Sequence, residues 1–574
     1  MTTSDAAPPF QPVAQQKQRD RDAKIPAEWR LPPSLLDSLH IPPSAKIGTA
    51  SPLPCPVDVR KVNVRDVPRT CGILTEKEVD IVGLNPVQLV HRLHVARDLS
   101  AFEVAQAFCK SAAVAHQLTN CLTEILFDEA LARAQQVDDY LVQHGKPIGS
   151  LAGVPISIKD NFRIKGHDAT LGFACWANEP DTYDSTLITI LRDAGAILYC
   201  KTNVPTAMMI AETLNNLWGR TLNPYNLATS CGGSSGGEGA LIALRGSPLG
   251  VGTDIGGSIR IPAALCGLYS LKPSFGRFPT HNARSGMAGQ EAVNSINGPM
   301  TTSLDAIELF ASAVVGSQPW LVDPKCVPIP WKPVGDIERK LPQKGLVFGL
   351  LRHNGVVRPT PPVARALEMT AKALEQAGHE VVVWHVESNE FADAARILEA
   401  FFAAEGRHGI RNLLLQGGEG DHWVKGLNPV VKPLTLKEIW DLQAERSTWS
   451  ASILAHWSRI KGSSGRLMDA LISPATPYAG VPHDTFTHVA YTGAWNLTDQ
   501  PGVTIPITVA DAYVDDGQNE AFLSEVDQKA WSSYDAKLVD GSPVAIQLIG
   551  RRLQEETLLA LAKVVDAAAC LRSI

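Results

Sequence analysis

Short runs of β-branched residues alternate with helix-like stretches through the middle of this chain, and glycines separate them. Val154–Ile158 predicts a buried strand, Thr186–Ala194 a helix that a glycine closes, and Ala196–Cys200 a second strand. A similar succession of strand, helix and strand recurs later, at Leu346–Leu351, Pro361–Ala377 and Glu380–Trp384. The pattern therefore predicts an α/β fold, with a central mixed β-sheet covered by helices on both faces.

The segments that differ most from an ordinary globular sequence all lie between Gly153 and Pro273, inside this alternating pattern. A chain of 574 residues could hold several domains, but this placement favours one large domain over residues 71–574. Residues 1–70 carry repeated Pro-Pro pairs and little periodicity, which predicts an extended Pro-rich arm that wraps or leaves the body. Residues 390–465 predict a helical insertion that either covers the active site or packs as ordinary helices.

Composition excludes several classes of partner. The net charge of -7 leaves no basic face for nucleic acid, and 45% hydrophobic residues are ordinary for a globular enzyme. The N-terminus has no apolar signal region and no run of about 18 apolar residues occurs, which predicts a soluble cytoplasmic protein without a membrane span. The ten cysteines are scattered without paired spacing and predict reduced thiols. No His or Cys cluster has metal-ligand spacing, so neither a metal nor a cofactor is expected.

Two Gly-Gly-Ser units place Ser234 and Ser258 at positions 24 residues apart. Glycines beside a serine allow positive φ angles and close backbone approach, so that N–H groups can point at a developing oxyanion. Gly/Ser composition alone more often marks a flexible linker. Ala240–Leu244 and Pro248–Thr253, which lie between the two units, are ordered apolar elements and disfavour the linker.

A serine hydroxyl needs a base within hydrogen-bond reach before it can act as a nucleophile. None of the fifteen histidines lies in a recognisable motif. Lys159 ends an apolar run that begins at Gly153, where burial would lower its pKa and favour the neutral amine. A lysine at a strand end is more often a surface residue, so both alternatives stay open on these observations.

Three segments in this order resemble the amidase signature family: Gly153–Asn161, Gly232–Gly237 and Gly252–Pro262. The resemblance is closest to the fungal acetamidase-like general amidases and covers about residues 70–574. Further matching stretches are Lys201–Pro205, Gly219–Pro224 and Gly541–Arg551.

The resemblance implies a serine hydrolase that cleaves the C–N bond of a carboxylic amide to an acid and ammonia or an amine. It assigns Ser258 as the nucleophile that carries the acyl group, and Ser234 as a bridging serine held after a cis peptide bond. It assigns Lys159 as the base that starts the proton relay. No cofactor is implied.

The resemblance also implies the rest of the site. The backbone amides of Ile255, Gly256, Gly257 and Ser258 would form the oxyanion hole, and Met208 would line the acyl pocket. Small amides are the expected substrates, with larger aryl or fatty amides or esters as the alternative. A homodimer is expected because dimers are common in the family.

Three other interpretations fit the sequence less well. An α/β-hydrolase needs a strand directly before Gly232–Gly236, and Asn223–Ser230 predicts a loop. A thiol enzyme using Cys231 or Cys266 would need a histidine at informative spacing, and none occurs. A non-catalytic anion-binding or scaffold protein could use the glycine loops as a nest, but no nucleotide P-loop motif follows them.

Overall fold

The computed structural model describes residues 9–41, 62–387, 389–420, 429–517 and 521–569. Its strands, numbered in chain order, are β1 (Leu122–Ile125), β2 (Pro155–Lys159), β3 (Ile197–Thr202), β4 (Leu214–Asn215), β5 (Gly219–Arg220), β6 (Leu222–Asn223), β7 (Asn226–Ser230), β8 (Leu249–Asp254), β9 (Tyr269–Lys272), β10 (Ile296–Thr301), β11 (Val347–Leu350), β12 (Glu380–Val383), β13 (Ala470–Pro474), β14 (Gly502–Val509) and β15 (Pro543–Ile549). Its α-helices are α1 (Gln11–Ala23), α2 (Pro33–Ser38), α3 (Val67–Thr70), α4 (Glu76–Gly83), α5 (Pro86–His91), α6 (Ala101–Thr119), α7 (Phe127–His144), α8 (Thr186–Asp193), α9 (Gly236–Ala243), α10 (Arg260–Leu265), α11 (Leu304–Gly316), α12 (Val334–Glu338), α13 (Pro361–Gln376), α14 (Glu390–Phe402), α15 (His408–Gln416), α16 (Leu436–Arg459), α17 (Ala490–Leu497), α18 (Glu525–Ser532), α19 (Ala536–Val539) and α20 (Glu555–Ala569).

The first of two compact units is made of the described residues within Met1–Val251, His281–Gly289 and Arg407–Val431. Its larger sheet has the strand order β1-β3-β2-β8. Strand β3 is antiparallel to β1 and parallel to β2, and β2 is parallel to β8. Every residue of β2 and β3 is buried, as expected for central strands with helices packed on the sheet. Helices α6, α7 and α9 supply that packing.

The second unit is made of the described residues within Gly252–Thr280, Gln290–Gly406 and Lys432–Ile574. Its strands follow the order β10-β9-β14-β15-β13-β11-β12. Strands β13, β11 and β12 are parallel, whereas the neighbouring pairs from β10 to β13 are antiparallel. Helices α10, α11, α13 and α20 pack against these strands. The predicted α/β class with a mixed sheet flanked by helices is therefore confirmed.

The elements predicted from periodicity are present with shifts of one or two residues at their ends. Strands β2, β3, β11 and β12 and helices α8 and α13 occupy the six predicted segments. The strand predicted at Val154–Ile158 begins and ends one residue later, so Lys159 is the last residue of β2. This places the lysine on a buried strand and not on the surface.

The N-terminal arm differs from the extended conformation expected for residues 1–70, because α1 is helical. Helix α1 belongs to the first unit, and two of its polar side chains bond to the rest of that unit. The Gln18 amide donates to the Leu217 carbonyl at 2.8 Å, and the Arg21 guanidinium donates to the Leu122 carbonyl at 2.9 Å. The Pro-Pro pairs at positions 8 and 42 fall at or within segments outside the described residues.

The segment 390–465 contains α14, α15 and α16, so its helical character agrees with the sequence pattern. Helix α15 belongs to the first unit, whereas α14 and α16 belong to the second. Residues 421–428 of this segment lie outside the described part of the chain. The segment is thus shared between the two units.

Candidate active site

Lys159 and Ser234 meet in the interior of the first unit. The two atoms Lys159 Nζ and Ser234 Oγ lie 2.8 Å apart, and both residues are buried. Ser234 lies in the loop between β7 and α9, and the Gly233–Ser234 peptide bond is cis, as expected. A Cβ atom at Gly233 would lie 2.7 Å from the Ile210 carbonyl oxygen, so only glycine lets this loop approach so closely. The chain therefore brings the predicted base into contact with the predicted bridging serine.

Ser258 lies in the second unit, on the loop between β8 and α10, and is partly accessible. Asp254 holds this loop from within. Its Oδ1 accepts a hydrogen bond from the Gly257 amide at 2.8 Å, and its Oδ2 accepts one from the Ile259 amide at 3.2 Å. A serine flanked by two such fixed amides has a well-defined backbone position.

A buried ion pair supports the Ser258 loop. The Arg260 guanidinium donates to both carboxylate oxygens of Asp254 at 3.0 Å, and both side chains are fully buried. Arg260 also donates to Asn496 Oδ1 at 2.7 Å and to Gln547 Oε1 at 3.0 Å. Burial acts to raise the pKa of the Asp254 carboxyl, but the charge and hydrogen bonds of Arg260 outweigh it and hold that pKa well below its usual range.

The Asp254–Arg260 ion pair was not predicted from the sequence. Asp254 and Arg260 bracket the second Gly-Gly-Ser unit, and that spacing was an available signal. Asn496 and Gln547 carry no such signal, because their partners lie more than 200 residues earlier in the chain.

The oxyanion hole expected from four amides needs one correction. The Gly257 amide already donates to Asp254, which leaves the amides of Ile255, Gly256 and Ser258 as the candidate donors. Gly257 has φ +133°, and a Cβ atom there would lie 2.2 Å from Thr492 Oγ1. The loop conformation therefore requires glycine at this position.

Met208 belongs to an apolar cluster of the first unit. The cluster has a buried centre of Leu171, Phe173, Ala207, Ile410 and Leu414, with Met208 packed against it. Ala207 and Met208 have positive φ angles of 58° and 60°, which side-chain-bearing residues seldom adopt. Helix α15 contributes Ile410 and Leu414, so part of the predicted helical insertion lies beside the residue expected to line the acyl pocket.

The rival sites fit less well. Burial raises the pKa of the Cys231 thiol to about 12, and Cys266 is fully buried, so neither suits a thiolate nucleophile.

The prediction of a loop at Asn223–Ser230 is wrong, because β6 and β7 pair there as an antiparallel hairpin. Asn223 and Asn226 are polar residues of this hairpin, and their side-chain oxygens accept backbone hydrogen bonds. Because such polar residues occupy the segment, its sequence lacks the alternation of apolar residues that predicts a strand. The hairpin is a separate two-stranded sheet and does not supply the central strand of an α/β-hydrolase.

The described ranges contain neither a metal-binding cluster nor a membrane-spanning helix. No group of three or more His, Cys, Asp or Glu side chains there is placed to hold a metal ion. None of the helices in those ranges combines the length and apolar composition that a bilayer-spanning segment requires.

Known proteins with similar sequences and structures identify the family of this chain. The family model described as Amidase matches residues 103–559, a stretch that runs through both compact units. The acetamidase of Emericella nidulans is 42% identical over 509 residues, covering 88% of this chain and 92% of that protein. The acetamidase of Aspergillus oryzae is 40% identical over 508 residues, covering 88% and 93%. A solved fatty acid amide hydrolase superposes with a TM-score of 0.86 at 29% identity, over 97% of this chain and 94% of that chain. Because the family model spans most of the chain and both acetamidases are at least 40% identical over most of their length, the chain belongs to the amidase family.

Proposed function

We propose that this chain is a serine amidase that hydrolyses small aliphatic amides through an acyl-enzyme on Ser258. The observation that carries the proposal is the 2.8 Å contact between Lys159 Nζ and Ser234 Oγ in a buried environment. Burial disfavours the charged form of an amine, and a neutral Lys159 can accept a proton. The acetamidase relatives at 42% and 40% identity support small amides as the substrate class.

The relay moves two protons in sequence. Ser258 Oγ attacks the amide carbonyl carbon while its proton passes to Ser234 Oγ, and the Ser234 proton passes to Lys159 Nζ. The resulting tetrahedral oxyanion collapses when the same path returns a proton to the leaving nitrogen. The C–N bond breaks, ammonia or an amine departs, and an ester to Ser258 remains. Water then attacks this ester with the same proton transfers and releases the carboxylic acid.

The oxyanion is stabilised by the amides of Ile255, Gly256 and Ser258. One such donor is worth about 3 kcal/mol of transition-state stabilisation in other serine hydrolases. The Asp254–Arg260 ion pair contributes indirectly, because it fixes the loop from which these amides project. Stabilisation of the oxyanion is thus built into the same loop as the nucleophile.

The acyl group of the substrate contacts the apolar cluster around Met208. An aliphatic acyl chain gains about 25 cal/mol for each square ångström of apolar surface that it buries there. Segment 407–420, which carries part of this cluster, covers the acyl-binding region in this proposal. The structural likeness to a fatty acid amide hydrolase supports longer fatty amides as the alternative substrates. Aryl amides and esters belong to the same alternative.

A labelling experiment with a fluorophosphonate tests the nucleophile. Ser258→Ala should lose covalent labelling and turnover, whereas Ser532→Ala, which removes an exposed hydroxyl of α18, should keep both. Retained labelling in Ser258→Ala would move the nucleophile to another serine. If the wild-type chain is neither labelled nor active on any amide or ester but binds anions, the non-catalytic alternative is favoured.

A substrate panel distinguishes the substrate classes. We expect kcat/KM to be highest for acetamide and its short homologues and lower for fatty amides, anilides and the matching esters. A maximum at the long-chain amides would favour the alternative. The homodimer and the cytoplasmic location stay predictions, and size-exclusion chromatography with light scattering and imaging of the tagged full chain test them.

A further inference from the structure

A fully buried carboxyl group, that of Glu238, joins the elements that carry Lys159 and Ser234 and has no part in the proposed relay. Glu238 is the third residue of α9, the helix that begins two residues after Ser234. Its Oε1 accepts a hydrogen bond from Thr202 Oγ1 at 2.8 Å, and its Oε2 contacts Ser157 Oγ. One carboxyl group therefore ties α9 to both β2 and β3.

The register of the sheet places this carboxyl group next to Lys159. Thr202 of β3 is the pairing partner of Lys159 in the parallel ladder. Ser157 precedes Lys159 by two residues on β2, and alternate residues of a strand point to the same face. On β8, a Cβ atom at Gly250 would lie 1.9 Å from Glu238 Oε2, so the carboxyl group also packs directly on that strand.

The hydrogen-bonded contacts around Glu238 fit a neutral carboxyl group. A hydroxyl group donates once. Ser247 donates to the Leu249 carbonyl at 2.8 Å, so the 2.9 Å contact between Ser157 Oγ and Ser247 Oγ uses the Ser157 proton. The remaining contact, between Ser157 and Glu238, is then satisfied only when Glu238 supplies a proton. Every contact is made when the carboxyl group is neutral.

The titratable neighbours of Glu238 agree with this count. Burial raises the pKa of Glu238 to about 8, and its hydrogen-bonded contacts with Ser157 and Thr202 and the charge of Lys159 only partly oppose it. Burial also raises the pKa of the Cys121 thiol to about 12, and it raises those of Tyr199 and Cys200 well above their ordinary values.

We propose that Glu238 is a positioning residue that acts as a neutral carboxylic acid. It fixes α9, and with it Ser234, against the strands that surround Lys159. Because it is uncharged, it places no anion beside the amine that would hold Lys159 as an ammonium ion. This inference rests on the proposed role of Lys159 as the base.

Infrared spectroscopy tests the charge state without reference to activity. The difference spectrum between wild type and Glu238→Gln is recorded about two pH units below the Glu238 pKa. We expect the carbonyl stretch of one protonated carboxyl group in the wild type that is missing from the variant. Carboxylate bands in its place would overturn the proposal.

Kinetics test the positioning role. Glu238→Ala should lower kcat by ~100-fold with little change in KM, because a small displacement of reacting groups has that effect. Glu238→Gln keeps the shape and the neutral charge, and it should recover most of this loss. A folded Glu238→Gln as inactive as Glu238→Ala, or a Glu238→Ala with wild-type kcat, would contradict the inference.

A matched control separates positioning from simple loss of stability. Glu555→Ala also truncates a buried glutamate at the start of a helix, α20, in the second unit. It should lower the Tm but leave the kcat of the folded enzyme unchanged. If Glu238→Ala does not fold, Thr202→Val removes one hydrogen bond to Glu238 and should lower kcat by ~10-fold, whereas an unchanged kcat would contradict the inference. Full activity in Lys159→Ala would refute the relay instead, and the infrared band would still report on Glu238.

Discussion

Replacement of Gly257 by alanine tests how strictly the loop conformation determines activity. Gly257 has φ +133°, and the added Cβ atom would lie 2.2 Å from Thr492 Oγ1 and 2.7 Å from Ile261 Cδ1. Thr492 cannot move away without cost, because its hydroxyl contacts the Gly256 carbonyl at 2.6 Å. The substitution therefore shifts the loop that carries the proposed oxyanion donors.

The magnitude follows from two separate effects. An unfavourable backbone conformation costs about 1–3 kcal/mol of folding free energy. Displacement of one oxyanion donor costs about 3 kcal/mol of transition-state stabilisation, which lowers kcat by ~100-fold or more. We therefore expect Gly257→Ala to be moderately destabilised and to lose two orders of magnitude in turnover.

The assay compares kcat, Tm and the rate of fluorophosphonate labelling with a matched variant. Gly541→Ala also places a side chain at a positive φ, +78°, in the second unit, but its Cβ atom would meet nothing within 4 Å. It should lose stability without losing turnover. A Gly257→Ala variant with kcat within about threefold of wild type, or a Gly541→Ala variant with an equal loss of kcat, would contradict this expectation.

Three further perturbations test other parts of the site. Lys159→Ala should lower kcat/KM by ~10³-fold, with partial recovery at high pH where serine deprotonates directly, and a flat pH profile would contradict this. Asp254→Asn leaves the buried Arg260 charge without its counter-ion and should cost about 3–5 kcal/mol in urea unfolding, so a loss below about 1 kcal/mol would argue against the ion pair. Burial raises the pKa of Glu419 from 4.5 to about 7, so the stability of wild type relative to Glu419→Gln should be greatest below pH 4.5 and fall as the pH rises through 7. A difference in unfolding free energy that is constant with pH would exclude this titration.

The buried position of Lys159 and the close packing of the two glycine loops could be predicted because they depend on local sequence. The apolar run before Lys159 predicted a buried strand, and the strand carries the lysine into the interior. The glycines around Ser234 and Ser258 predicted tight backbone approaches, and a Cβ atom added at Gly233 or Gly257 would indeed clash with the atoms around it. The roles of the three residues stay proposals until the variants are measured.

The structural features that could not be predicted depend on contacts between residues distant in sequence or on polar contacts. Asn496 and Gln547 reach the Asp254–Arg260 pair only after the chain has folded. Helix α1 was not predicted because its buried face is formed by Ala14, Gln18 and Arg21, a pattern that hydrophobic periodicity does not detect.

Helix α1 also has a consequence for handling the protein. Strand β1 is the outermost strand in the order of its sheet, and an uncovered edge strand can pair with another molecule. Arg21 bonds the Leu122 carbonyl and Lys24 bonds the Ile125 carbonyl, at the two ends of β1. A shortened protein that begins after α1 would expose the edge of β1 and would tend to aggregate. All the residues matched by the family model would still be present in it.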